Sequence, residues 1–517
     1  MRSVRMRILV TLLVLAVIGV GGWQLLPSDH DSEATITVGT TDTITSLDPA
    51  GAYDAGSWAL FSNVYQSLLT YAPGGVAPVP DAAKSCSFAK GGLTTYTCEL
   101  RDDLTFPSGR KVTAEDVKFS FDRVKKINSD VGPSSLLSTL KSVDAKDLKV
   151  TFHLTTPDAT FPFKVATGAG SIVDDTRYPA DGLRSGNSVD GTGPYTLKSY
   201  TKGKRVDLEP NSRYKGAVKS GAPIALRYYA DPDALEKAWE GKQVDVATRQ
   251  LPPTVLSSLN ASDPDQRVSE ADSSDTRNLY FNTRASSPLH LTAVRKAMAW
   301  LIDREQLATK VYDGTVDPLY SLIPAGLTGH TTSFFDNYPD QNSEKARKLL
   351  EGAGVSIPVK FTYGYGIGSG AAADEAKELK RQLEASGLFQ VNVKGYEWTD
   401  FQKRWAGGKL DAYAVGWVAD YPDPDTFAGP LVGTDSTMNT GFSSKRVDGY
   451  IKESQQYADR SQVTDDFKNL QQVIAEDVPV IPLWQRKEYV VTTSDVGGGQ
   501  YLADGNGVFR LWSLNWI

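Results

Sequence analysis

Beyond residue 34 the chain alternates strand-like runs with amphipathic helices for its whole length, and no segment repeats another. That alternation demands sheets covered by helices, so it points to α/β domains with mixed sheets and away from an all-helical or all-β chain. The helix signals are local and specific. In "TAEDVKFSFDRV", Thr113 and Asp116 have capping-box spacing, and Val117, Phe121 and Val124 then fall on one helical face. "DPDALEKAWEGKQVDVA" offers Asp231 as N-cap, Pro232 at the first helical position, Leu235, Ala238 and Trp239 as the buried stripe, and Gly241 as the stop before a short strand. "LTAVRKAMAWLIDREQLATKVYDG" places Val294, Met298 and Leu301 at helical spacing, and "SEKARKLLEGAG" repeats the device with a terminal Gly354.

With 517 residues the chain has room for roughly three domains of about 150 residues each. Its formal net charge of -7 argues against a nucleic-acid binder, which needs a basic face to neutralise phosphates. At the N-terminus, Arg2, Arg5 and Arg7 precede the apolar run "ILVTLLVLAVIGVGGW". This is an export signal or a membrane anchor, with the N-terminus in the cytoplasm and the rest of the chain outside it. No small-x-small cleavage site is evident and no cysteine near the end of the run is placed to carry a lipid, so an uncleaved signal-anchor from Ile8 to Leu26 is expected, with a cleaved signal as the alternative. Outside the cytoplasm a disulfide persists. Cys86 and Cys98 flank a Lys-Gly-Gly turn in "CSFAKGGLTTYTC", which predicts a hairpin bridged between its strands; two unpaired buried cysteines are the other reading.

Much chemistry is missing. His30, His153, His290 and His330 are scattered, without metal-ligand spacing, and neither a G-x-S-x-G elbow nor a P-loop is present. No metal and no cofactor is expected. The glycine run in "YGYGIGSGAAADEAKELKRQL" opens a helix and its amides can cradle an anion, although a flexible strand-to-helix connection is the plainer reading. The stretch "GWVADYPDPDTFAGP", residues 416–430, crowds aspartates, aromatics and prolines where neither a helix nor a central strand can run. It suits a catalytic acid/base pair, a metal site or a pocket that captures a cation. Asp420 and Asp423 lie in one turn, where a shared proton or simple solvation is easier to achieve than two separated catalytic roles.

A series of landmarks then carries a family resemblance: "SLDPA", "YTCELRDDLTFPSGRKVTAEDVKFSFDRV", "GTGPYTL", "NLYFNTRASSPLHLTAVRKAMAWLIDREQL", "SEKARKLLEGAG", "DAYAVGWVADYPDPDTF" and "EDVPVIPLW". From about residue 36 to 517 the chain resembles the dipeptide- and oligopeptide-binding family of ABC importer solute-binding proteins. The resemblance implies a two-lobed periplasmic-binding-protein-like α/β fold with a hinge and an extra inserted domain. The expected division is 1–34 signal-anchor and linker, 35–70 first segment of lobe I, 71–189 inserted domain, 190–284 second segment of lobe I, 285–484 lobe II and 485–517 the C-terminal segment of lobe I, with hinge crossings near 280–285 and 484–488. It further implies a monomeric, non-enzymatic receptor that works with an ABC permease and ATPase, is held at the extracytoplasmic face of the membrane or secreted, and has no nucleic-acid partner. Asp420 matches the family aspartate that pairs with a peptide's amino terminus. Backbone groups at Gly416 and Val418 would hold the ligand main chain, and Trp417 and Trp398 match positions near the ligand. Asp423 and Asp425 are read as turn residues. Arginines that some members use for the ligand carboxylate are replaced by Trp405 and Ala414, with Arg404 the adjacent substitute. Relatives of this kind also take oligosaccharides, opines and nickel chelates, and a hydrolase on the same fold is the alternative of another class.

Overall fold

A computed structural model describes residues 34–219, 221–249, 251–368, 370–502 and 508–517. The expected signal-anchor and its linker, apart from Ala34, therefore lie outside the described residues. Among those described, no helix is long and apolar enough to cross a membrane.

Eleven strands join in one sheet in the order Phe389–Tyr396, Val359–Gly366, Ala412–Trp417, Gln266–Phe281, Val480–Thr493, Val246–Thr248, Ile36–Thr40, Ile224–Tyr228, Arg205–Pro210 and Tyr195–Thr201, with Val316–Pro318 paired to Val480–Thr493 off this path. Its centre is an antiparallel ribbon of two long strands, in register from Gln266 opposite Thr493 to Tyr280 opposite Val480. Ala412–Trp417 joins one end of the ribbon, at Thr276–Phe281, and Val246–Thr248 joins the other, at Val490–Thr492. The register slips twice, between Asp272 and Thr276 in the stretch that separates the two attachments, and between Arg277 and Asn278 within the stretch that Ala412–Trp417 joins. Such a bulge bends a strand and adds twist.

The hydrophobic cores follow the same partition. One gathers side chains from Leu279 to Trp484, and a second unites Ile36, Val38, Phe61 and Ile224 with Val490, Leu511 and Leu514 near the C-terminus. A third lies around the four-stranded sheet Ala83–Phe88, Thr95–Leu100, Lys149–Leu154 and Leu140–Lys146. This is the mixed α/β, two-lobed arrangement with an additional small sheet that the sequence implied.

Local signals explain the elements. Helix Ala114–Ile127 begins with the complete Thr113/Asp116 capping box and buries Val117, Phe121 and Val124, each worth about 1.5–3 kcal/mol relative to exposure. Helix Pro232–Glu240 starts at Asp231, which accepts from the Ala234 amide, and buries Leu235 and Ala238, while Trp239 is only partly covered. The run from Leu291 divides into two helices, Thr292–Ala299 and Arg304–Lys310, because Asp303 leaves helical geometry to cap the second; Leu301 is buried in the break. Cys86 and Cys98 sit directly opposite in the hairpin and are joined by the expected disulfide.

The family landmark "SLDPA" also has a structural purpose. Asp48 caps the short turn at Pro49 and accepts a bidentate pair from Arg123, at 2.6 Å on each oxygen, while its Oδ2 also accepts the Arg184 amide. Both ionic side chains are almost fully buried, and they tie helix Ala114–Ile127 to the start of the chain.

Candidate functional site

Strand Ala412–Trp417 ends where Pro422 and Pro424 prevent continuation, and helix Asp425–Val432 follows at once. The connection is fixed by its own carboxylates. The Asp420 amide donates to Thr426 Oγ1 at 3.1 Å and the Asp425 amide donates to Asp423 Oδ1 at 2.9 Å. Asp423 is more than a turn residue: Arg460 grips it through Nε to Oδ2 at 2.7 Å and Nη2 to Oδ1 at 2.8 Å. Asp425 accepts from the Tyr421 hydroxyl at 3.1 Å and from Thr160 at 3.4 Å, with Lys164 contributing a nearby positive charge.

This turn carries Asp420 into a buried position, 7% exposed. Its Oδ2 accepts from the Tyr53 hydroxyl at 2.7 Å and from Thr426 at 3.1 Å; its Oδ1 accepts no hydrogen bond among the described residues. Burial pushes the carboxyl up from an ordinary 3.8 to about 7, against the Tyr53 and Thr426 hydrogen bonds and the Lys164 charge, which pull it down. Tyr53 stacks on Trp58 and meets Trp417 edge-on.

Two adjoining cavities face this region and share Val508 in their linings. The larger, about 240 Å³, is lined by Gly416, Val418 and Trp398 of the expected set; the smaller, about 50 Å³, is lined by Asp420 with Trp58 and Tyr65. Trp398 opens helix Trp398–Ala406, is 41% exposed and packs against Phe401 and Trp405. Trp417 lines neither cavity, and its Nε1 is buried without a hydrogen-bond partner. Arg404 also stands apart: it pairs with Asp400 at 2.8 Å, lies over the Tyr396 ring and reaches neither cavity.

Sequence reasoning missed the charged floor of the larger cavity. Arg277 donates from Nε to Glu375 Oε1 at 2.9 Å, and the other oxygen of Glu375 accepts from Tyr312 and from Trp484 Nε1, each at 2.8 Å. Arg486 pairs with Asp275 at 2.7 Å. Arg249 lies 3.3 Å from Asp42 but is not aligned for a hydrogen bond, so its Nε has no acceptor. Glu488 Oε1 is likewise buried without a partner; burial raises its pKa while Arg249 and Arg486 oppose the rise. A usable signal was present. An arginine inside the apolar strand run "TRNLYF" and the charges of "QRKEYVV" inside another strand must be paired or functional, because charged residues are seldom buried otherwise.

A cavity with charged and aromatic side chains in its lining, beside a strand ribbon that runs through two lobes, is the arrangement of a two-lobed binding protein. Residues 77–439 match the family described as bacterial extracellular solute-binding proteins, family 5 Middle, and the chain belongs to that family. It is 24% identical over 513 residues to the probable D,D-dipeptide-binding periplasmic protein DdpA of Escherichia coli (strain K12), covering 96% of each chain. In structure it is similar to the periplasmic binding protein DppA from Helicobacter pylori in complex with the peptide STSA, with a TM-score of 0.84, 22% identity and coverage of 94% and 98% of the two chains. Against the unliganded open form of the murein tripeptide binding protein MppA the TM-score is 0.67, at 20% identity and coverage of 94% and 97%. The relatives named here are binding proteins.

Proposed function

We propose that this chain is the extracytoplasmic solute-binding component of an ABC importer, capturing short peptides between its lobes and handing them to a membrane permease driven by an ATPase. The observation that carries this reading is Asp420, a buried carboxyl with one oxygen unengaged beside a polar cavity. An ammonium group is costly to desolvate unless paired, and a peptide's amino terminus entering the smaller cavity supplies both the charge and the donors that Asp420 lacks. Backbone groups at Gly416 and Val418 hold the main chain as an added strand does, and Trp398 shapes a side-chain pocket. Trp417 acts indirectly, by its edge-on packing against Tyr53.

The lining of the larger cavity contains seven charged side chains against four aromatic ones, which favours a zwitterionic solute over a stacked sugar. A cavity of about 240 Å³ suits a small solute such as a short peptide. Arg460 takes up Asp423, removing the partner that a two-carboxylate hydrolase would use and supporting a non-enzymatic role. The hinge is sought where the long ribbon is bulged, at Asp272–Asn278 facing Pro482–Lys487, beside the crossings expected near 280–285 and 484–488. Residues 1–34 tether the receptor to the membrane, which keeps it concentrated near its permease. Calorimetry of the full-length protein with a panel of di- and tripeptides tests the reading: saturable binding is expected, and an inert protein across the panel, with an unrelated solute found by native mass spectrometry, would refute it.

A further inference from the structure

The larger cavity has one carboxylate more than its cations need. Each cation that lines it already has an acid beside it: Arg277 pairs with Glu375, Arg486 with Asp275, Lys487 with Glu270, and Arg249 lies 3.3 Å from Asp42. Glu488, which also lines the cavity, is left over. It is 8% exposed, and its Oε1 is buried without a hydrogen-bond partner. Among the described residues neither of its oxygens accepts a hydrogen bond, and no cation forms an ion pair with it.

The charged groups around Glu488 do not neutralise it. Burial holds its carboxyl above the ordinary carboxylate range. Arg249, just beyond strand Val246–Thr248, and Arg486 on the same strand as Glu488 pull it down, while Asp275 on the paired strand Gln266–Phe281 and Asp42, just beyond strand Ile36–Thr40, push it up. Two cations and two acids leave the charge of Glu488 itself uncompensated. A buried carboxylate without donors is costly, and a cation that carries its own N–H groups removes the cost. A single carboxylate between two arginines offers a metal ion too few oxygens, whereas an ammonium or guanidinium needs no further ligand.

The surplus acid stands beside the backbone that holds the ligand main chain. Gly416 lines the same cavity, and a β-carbon there would come within 3.4 Å of Asp275 Oδ1. Asp275 is bound to Arg486, and Glu488 is two positions further along that strand, about 7 Å on. That is the span of a lysine or arginine side chain.

We infer that Glu488 forms an acidic subsite that receives the cationic side chain of a lysine or arginine residue in the ligand. The assignment rests on the peptide reading and deepens it by naming the substrate class: short peptides with a basic side chain in addition to the amino terminus held by Asp420. A neutral side chain of the same shape leaves Glu488 buried without donors and is disfavoured.

The test is calorimetry on the full-length protein with dipeptides that differ in this charge, alanyl-arginine against alanyl-citrulline and alanyl-lysine against alanyl-norleucine. The charged member of each pair should bind about 10- to 100-fold more tightly, the effect of a hydrogen bond between charged groups in a desolvated site. Glu488→Gln keeps the shape, removes the charge and should erase both preferences. Because the empty protein gives Glu488 no partner, this variant should melt no lower than wild type; a lower melting temperature would give Glu488 a structural role and overturn the assignment. The wild-type comparison stands whether or not the variant folds. Equal wild-type affinity within each pair would overturn the assignment while leaving the peptide reading intact, as would preferences that survive in Glu488→Gln. Failure of all four dipeptides and of the wider di- and tripeptide panel to bind would remove both.

Discussion

If Asp420 captures a cation as proposed, ligand affinity depends on pH in a defined direction. In the empty protein burial holds this carboxyl at about 7, so it is mostly protonated at pH 6 and must lose its proton before an ammonium can dock. Each pH unit below the midpoint then costs about tenfold in affinity, or ~1.4 kcal/mol. Between pH 7.5 and 5.5 the ionised fraction falls by a factor of about 25, and the dissociation constant should rise by the same factor. Above pH ~8 the peptide's own amino group begins to deprotonate, so affinity peaks near neutrality. Calorimetry at pH 6 in buffers of different ionisation enthalpy should register release of about 0.9 proton per peptide bound. Asp420→Asn should bind weakly with no such dependence on acidification. The empty protein supplies an independent check on sign. A folded-state pKa raised from 3.8 to about 7 means that stability is fully present below the unfolded value and is lost as pH rises through the folded one, by about 4 kcal/mol in all. Melting temperature without ligand should therefore fall between pH 5 and 7.5, and saturating peptide should offset the fall. Constant affinity from pH 5.5 to 7.5, with binding otherwise normal, would refute the reasoning.

Other expectations follow from the same contacts. Tyr53→Phe removes a hydrogen bond that lowers the Asp420 pKa, so the midpoint of the binding profile should move to higher pH. Arg123→Ala leaves Asp48 buried and uncompensated, and denaturant unfolding should show a loss of about 3–5 kcal/mol. Replacing Cys86 and Cys98 by serine opens a loop closed across a separation of 12 and should cost about 3 kcal/mol, read as a lower unfolding midpoint with peptide affinity unchanged.

What could be read from the chain was what neighbouring residues decide. The Thr113/Asp116 box, the Asp231 cap and the disulfide hairpin all depend on groups within a dozen positions, and each is where the spacing put it. The break at Asp303 was missed because a continuous apolar stripe outweighed one capping residue in the pattern. The charged floor was missed for a different reason. Arg277 and Glu375, or Tyr53 and Asp420, meet only after the sheet has assembled, at separations of 98 and 367 residues, and no periodicity links them. Family likeness pointed to Asp420 and to the Gly416–Val418 backbone. It gave no such guidance for Arg277, whose contact with Glu375 forms only when both elements are in place.

The continuous ribbon also restricts how such a receptor can signal that it is loaded. Two hydrogen-bonded strands running side by side through the bulge resist sliding and swivelling far more than flexing, so the jaws have in effect one axis to turn about. A membrane partner touching both jaws then needs to sense only their spacing, and cargoes with quite different side chains present it with the same outline.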